Sequence, residues 1–389
     1  MRAVEFNLKD PAFGAELVEV DEPPLPNDAW ARVAVTGGGI CGSDLHLFGN
    51  GQMSAPALSE FWTFPFLLGH EIAGRVVEAG ARCDIPVGTR VAIDPAIPCA
   101  ARGIEPVCRI CAAGHQSCCL HLGSKVMTPG MSIGFTTGLG GGWADQVLGH
   151  RSMLHVIPDA VPDTIASLHE PVSVGVHGLL RKPPRDGDPV LIVGAGIIGL
   201  AALAAVRALF PACEVTITAR HEHQAQAARD AGAHHVVFAQ EHEGHFDELG
   251  AIAGAKVTGR GNAHMLLGGF PYVIEAVGGL ASVTESIRLV DYWGTVLFLG
   301  AGGMGEVDLS PLWFKEAEVV GAWNHAPGVH PTRGTHHSID LALEVLAGGG
   351  LPESVVTHSF ALEDLREGVT TAIDKRNAHA IKVVFRPTA

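Results

Sequence analysis

Along the first third of the chain, apolar positions come in short extended bursts separated by turn residues. Leu17-Val18-Glu19-Val20 is mostly apolar and β-rich, Trp30-Ala31-Arg32-Val33-Ala34-Val35 repeats that character, and Pro23-Pro24-Leu25-Pro26 turns the chain between them. The run beginning at Ile72 and the stretch from Val87 to Ala92 continue the pattern, so the opening reads as all-β. From Asp188 the pattern changes. Pro189-Val190-Leu191-Ile192-Val193 is a continuous apolar run, the mark of a strand covered on both faces, and Leu200 to Leu209 reads as an Ala-rich helix. Glu214–Thr218, His235–Phe238, Tyr272–Gly278, Gly294–Gly300 and Val319–Trp323 then alternate with the helical stretches Gln224–Asp230 and Ser282–Leu289. Strand–helix alternation of this kind predicts a doubly wound parallel sheet, an α/β architecture. Residues 239–270 form a His- and Gly-rich connection with no assignable pattern. Beyond His325, a helix (Ser338–Leu346) and strand-like Val355-Val356 and Ile381–Phe385 predict a return to the first domain. The expected division is therefore 1–173 with 325–389, against 174–324.

Composition narrows the function. With 389 residues, 47% hydrophobic and 17% charged, the chain has ample core for two domains. A net charge of -15 argues against nucleic acid, whose phosphates attract basic surfaces. The most apolar run, Val190 to Val206, is broken by Gly194, Gly196 and Gly199 and is shorter than the roughly 20 residues a bilayer span needs. With no signal-peptide pattern at Met1–Phe6, the expectation is a cytoplasmic enzyme with a small-molecule substrate and no membrane partner.

Candidate chemistry begins at Gly38-Gly39-Ile40-Cys41-Gly42-Ser43-Asp44-Leu45-His46, where a thiol, a hydroxyl, a carboxylate and an imidazole fall within six residues. Thiolate and imidazole are the ligands zinc prefers, and a hydroxyl beside an imidazole is what a proton relay needs. His70-Glu71 and Glu170 are the residues that can complete a metal site with Cys41. Five of the eight cysteines lie between Cys99 and Cys119. In a long chain without a secretion signal such a cluster reads as metal binding. The Cys108-x-x-Cys111 turn presents two thiolates to one ion, and Cys99 with either Cys118 or Cys119 can close a four-ligand site. Phe61, Trp62, Phe64 and Phe66, beside the Cys41 stretch, are candidates either for core or for an apolar substrate pocket.

Gly194-Ala195-Gly196-Ile197-Ile198-Gly199 follows a buried strand and opens a helix, the setting a dinucleotide-binding turn requires. About 20 residues further on, where an acid usually takes the ribose diol, the chain has Ala219-Arg220-His221. Without a carboxylate to repel it, a 2′-phosphate can pair with Arg220, with His221 assisting, so NADP is favoured over NAD.

Taken together, these pieces resemble the zinc-containing medium-chain dehydrogenase/reductase superfamily over essentially the whole chain, most closely its alcohol, sorbitol and threonine dehydrogenase branches. The resemblance implies a GroES-like, partly open β-barrel catalytic domain beside a Rossmann domain. It implies Cys41, His70 and Glu170 as catalytic zinc ligands, with Glu71 able to ligate directly or exchange with water. It further implies Ser43 and His46 as inner and outer relay groups and Asp44 as a buried acid tuning the zinc. For the structural zinc it points to Cys99, Cys108, Cys111 and Cys119. Here the sequence departs from the family spacing: Glu105 stands where the first cysteine is usual, so Glu105 and Cys118 remain possible substitutes. A homodimer or homotetramer is implied by analogy. The expected activity is hydride transfer between a secondary alcohol or ketone and the nicotinamide, the aromatic run favouring an apolar or cyclic substrate. The alternatives are a polyol, sugar or amino-alcohol dehydrogenase of the same family, or a non-catalytic NADP-binding sensor. For a sensor, Ser43 and His46 would have no use.

Overall fold

The computed structural model describes residues 1–7, 13–48, 64–123, 130–239, 244–260 and 263–387. Contacts divide the chain into one unit of Met1–Glu170, Asn324–Pro327 and Val356–Ala389, and a second of Pro171–Trp323 and Gly328–Val355. The sequence pattern sends everything after His325 back to the first domain, but residues 328–355 belong to the second unit. The reason is the helix Ser338–Ala347, whose Ile339, Leu341, Ala342 and Leu346 are buried and which packs on the helix Ile197–Leu209.

The first unit is built on a seven-stranded sheet. Its long central strand, Trp30–Gly39, pairs antiparallel with Glu71–Ala79, with Gln146–His150 and with Lys382–Phe385. Arg90–Ile93 and Leu154–Val156 extend it on one side and Val356–Phe360 on the other. The predicted strand at Val87 begins only at Arg90, because Gly88 turns the chain with a φ of 90°. Trp30, Val33, Val35, Ile72, Val91, Ile93 and Val147 fill one core, and Phe6, Phe66, Trp143 and Phe385 a second. Burying side chains of this size stabilises by roughly 1.5–3 kcal/mol each.

The second unit holds six parallel strands. Val190–Val193 lies at the centre; Val215–Ala219 and His235–Phe238 flank it on one side, and Phe270–Glu275, Val290–Phe298 and Glu318–Gly321 on the other. Counted along the chain this is the order 3-2-1-4-5-6 of a dinucleotide-binding sheet, with its switch point beside the first strand. The connection that lacked a pattern in sequence contains the helix Phe246–Ala253 and an antiparallel hairpin, Lys256–Thr258 with Met265–Leu267. Phe246, Leu249 and Leu266 pack there with Leu191 and Val273. No helix among the described residues is long and apolar enough to cross a membrane.

Candidate metal centre and dinucleotide turn

Strand register brings the metal-binding candidates together. Gly39 stands opposite Glu71 on one side and Val384 on the other. A Cβ at Gly39 would lie 2.0 Å from a Glu71 carboxylate oxygen, so only glycine leaves room for that side chain. Lys382, from the strand on the far side, enters the same space. Its Nζ donates to Glu71 Oε1 at 2.5 Å and to the Ile40 carbonyl at 2.8 Å. Both side chains of the pair are 1% exposed.

Cys41 caps the short helix Gly42–Leu45, and its N–H donates to the Asp44 carboxylate at 2.8 Å. The other Asp44 oxygen lies 3.3 Å from His70 Nδ1, and Ser43 Oγ is 3.5 Å from His70 Nε2. The ligand atoms of Cys41, His70 and Glu71 lie within 4.8 Å of one another. Burial pushes the His70 imidazole down, but the Asp44 carboxylate and the Cys41 thiol outweigh it and hold its pKa well above the ordinary value. Glu71 is pushed up by burial, further than Lys382 pulls it down. Soft and hard donors converging on one buried point, with an acid behind the imidazole, suit a zinc ion.

Glu170 is not a member of that three-residue group. It sits in the first turn of the helix His169–Arg181, and its Oε1 lies 3.2 Å from Nε2 of the buried His325. Burial opposes ionisation of Glu170, yet His325, aided by His70 and Lys382, holds it below the usual carboxylate range. Ser43 is half-buried with its Oγ toward His70, and the exposed His46 follows one helical turn later on the same side of the short helix.

The sulfurs of Cys99, Cys108, Cys111 and Cys119 form a second group within 4.8 Å. Cys118 and Glu105 are exposed and lie outside it. Backbone N–H groups of Cys108, Cys111 and His121 donate to the sulfurs of Cys99, Cys108 and Cys119 at 3.3–3.4 Å. Burial works against the Cys108 thiolate, but the N–H groups of Cys111 and Leu120 outweigh it and bring its pKa to about 6. Burial raises Cys111 and Cys119. Four sulfurs this close cannot all ionise without a cation among them, which is the situation a tetrahedral zinc resolves.

In the second unit Gly194 (φ 99°) donates its N–H to Thr218 Oγ1 at 3.0 Å, and a Cβ on Gly199 would lie 1.8 Å from the Gly194 carbonyl. Gly196 is the N-cap of the helix Ile197–Leu209 without a side-chain cap, and nothing lies within 4 Å of its Cβ position. Free N–H groups and open space at a helix start suit a pyrophosphate. Ala219 ends its strand, Arg220 is exposed, and His221 caps the next helix with its ring stacked on His223 at 5.5 Å. The neighbouring Glu222 is occupied by Arg229 at 2.8 Å. Of the aromatic run, Phe61 and Trp62 lie outside the described residues. Phe66 is core, and Phe64 packs on Phe6 and Phe66 at 6.0 and 5.3 Å.

Sequence reasoning missed Lys382, His325 and Glu275. The last is buried at the end of its strand and accepts the N–H groups of Val277 and Gly278 and the Ser282 hydroxyl, at 3.0, 2.9 and 2.7 Å. Its signal was a lone carboxylate closing an apolar strand.

Two family profiles match the chain: an alcohol dehydrogenase GroES-like domain over residues 27–159, and a zinc-binding dehydrogenase domain over 198–341. The chain belongs to the zinc-dependent medium-chain dehydrogenase/reductase superfamily. It is an oxidoreductase acting on an alcohol with zinc and a nicotinamide cofactor. The dehydrogenase is 26% identical over 376 residues to a sorbitol dehydrogenase of Bacillus subtilis, covering 95% of this chain and 94% of the relative. Among solved structures it is similar to an alcohol dehydrogenase from Thermus sp. ATN1 (26% identity, TM-score 0.76, 99% of each chain). It is also similar to a structure described as a zinc-binding dehydrogenase from Sinorhizobium meliloti 1021 bound to NADP (27% identity, TM-score 0.74, 99% of each chain).

Proposed function

We propose that this dehydrogenase oxidises a secondary alcohol of the polyol class, with NADP as hydride acceptor, or runs the reverse reduction. The observation that carries the reading is the convergence of Cys41, His70 and Glu71 beside Ser43. Cys41, His70 and Glu71 would hold the zinc, and Glu170 supplies a second carboxylate close enough to be influenced by His70. Once bound, zinc supplies Lewis acidity toward the substrate oxygen, and the nicotinamide accepts the hydride. Asp44 fixes the His70 ring from behind. Ser43 Oγ would accept the proton released from the substrate hydroxyl as it hands its own proton on toward His46, which would pass it to water. Lys382 offsets the negative charge that the carboxylates bring into a buried space.

The polyol class is supported by the sorbitol dehydrogenase relative and by the second carboxylate, which can accept a neighbouring hydroxyl. NADP is supported by an exposed Arg220 that pairs with no carboxylate among the described residues, and by the NADP-bound neighbour. Cys99, Cys108, Cys111 and Cys119 would hold a second, structural zinc.

A homodimer is supported by the edge strand Glu318–Gly321, which ends the six-stranded sheet near Trp293 and Trp313, exposed at 75% and 81%. The deciding experiment is turnover on a panel of polyols, diols and cyclic alcohols with NAD and with NADP, alongside elemental zinc. Polyol oxidation with NADP and two zinc ions per chain is expected; turnover confined to cyclic alcohols, or a strong preference for NAD, would overturn that part of the reading.

A further inference from the structure

Asn324–Pro327 is a four-residue island: its neighbours on both sides belong to the second unit, yet it packs as part of the first. Its anchor is the cysteine lobe. Ser117 lies in the turn Gln116–Cys118, directly before Cys119, and is buried. The Ser117 hydroxyl donates to the His325 carbonyl, and the His325 N–H donates back to Ser117 Oγ at 3.3 Å. This reciprocal pair clamps both backbone groups of one residue, 208 positions away in sequence. Two residues on, Pro327 lies against Gly114 of the same lobe, 3.4 Å from where a Cβ on that glycine would stand. Asn324 begins the island with a φ of 62°, a conformation asparagine adopts more readily than most residues.

The clamped residue carries the imidazole that ends on Glu170. Nε2 to Oε1 is 3.2 Å, with the His325 side chain 0% exposed. We propose that His325 is a positioning residue that fixes Glu170 for the metal centre, and that the cysteine lobe, through Ser117, is what fixes His325. The lobe is then more than a staple for its own loop. It is the reference point from which a carboxylate of the reaction site is aimed. The proposal rests on the reading of Glu170 as a carboxylate of that site.

The test uses the zinc-loaded full chain with Glu170→Gln, His325→Gln, Ser117→Ala and the pairs His325→Gln/Ser117→Ala and Glu170→Gln/His325→Gln. For each, kcat, KM, NADP binding, zinc content and the rate of zinc loss to a chelator are measured. His325→Gln is expected to lower kcat by about 10–100-fold, the usual effect of losing a group that orients a metal-site residue. NADP binding stays intact, and one of the two zinc ions leaves faster than in the parent enzyme. Ser117→Ala gives a smaller loss of the same sign. Neither Ser117→Ala on top of His325→Gln, nor His325→Gln on top of Glu170→Gln, adds a further loss.

Losses that multiply as independent sites would overturn the proposal, as would a His325→Gln enzyme within about twofold of the parent while Glu170→Gln is impaired. If Glu170→Gln alone leaves turnover and zinc retention unchanged, the reading of Glu170 fails and the proposal falls with it. Should His325→Gln not fold, the cycle of Ser117→Ala with Glu170→Gln reads the same coupling.

Discussion

Glu71 and Lys382 meet across Gly39, a residue with no side chain to keep them apart. The two partners come from strands on either side of the central strand of the sheet, and both are withdrawn from water. A pair of this kind adds little net stability against a well-packed apolar pair, but removing one partner leaves a buried charge unmatched. Lys382→Met is therefore expected to destabilise the protein by about 3–5 kcal/mol, read from the urea midpoint. Adding Glu71→Gln should recover part of that loss. No recovery would mean that Lys382 matters for its bond to the Ile40 carbonyl rather than for charge.

On the proposed reading, Cys41→Ala removes the soft donor of the Cys41, His70 and Glu71 group and leaves the cysteine lobe untouched. Zinc should fall from two ions per chain to one, and turnover by about 10³-fold or more, given the several kcal/mol that a Lewis acid contributes. NADP binding, followed by fluorescence titration, should be unchanged.

Ala219→Asp with Arg220→Ala supplies an acceptor for the ribose diol and removes the cation for a 2′-phosphate. The ratio of kcat/KM for NADP over NAD should fall by about 10–100-fold, the worth of a charge-assisted hydrogen bond. An unchanged ratio would show that another residue reads the phosphate.

Gly199→Ala drives a methyl group into the Gly194 carbonyl. The strand and helix must separate, at a cost of about 1–3 kcal/mol, and the dinucleotide turn loses its shape. Weaker NADP binding with both zinc ions retained is the expected result, since the metal groups lie in the other unit.

Lys315 is buried, donating to the carbonyls of Arg288 and Val290 at 2.8 and 2.5 Å. Burial, only partly opposed by Asp291, pushes its pKa down from 10.5 to about 8. Between those values the unfolded chain binds the proton and the folded chain does not, so stability from this residue rises with pH across that window. Unfolding midpoints at pH 8 and pH 10 should differ in that direction, and Lys315→Met should flatten the difference.

What could be read from the sequence was what is written locally. The dinucleotide turn needs its glycines within six residues beside an apolar strand, and the Cys-x-x-Cys turn presents its sulfurs by spacing alone. The ion-pair partners were invisible because they are fixed by sheet register and by one docked segment: Lys382 lies 311 residues from Glu71, and His325 belongs to an island inside the other unit's sequence. The helix Ser338–Ala347 shows only an apolar face in sequence, and its packing on Ile197–Leu209 assigns it to the second unit. On paper the resemblance gives Glu170 as the third ligand and leaves Glu71 to ligate directly or exchange with water. Strand register puts Glu71 beside Cys41 and His70, while His325 engages Glu170.

The distance in sequence between Glu71 and Lys382 also sets an order of events during synthesis. Cys41, His70 and Glu71 emerge within 31 residues of one another, whereas Lys382 follows Glu71 by 311. At the roughly 5–20 residues per second of translation, the carboxylate waits about 15–60 s for its countercharge. Throughout that interval water solvates the carboxylate, and the sheet can bury Glu71 only once the strand carrying Lys382 has joined it.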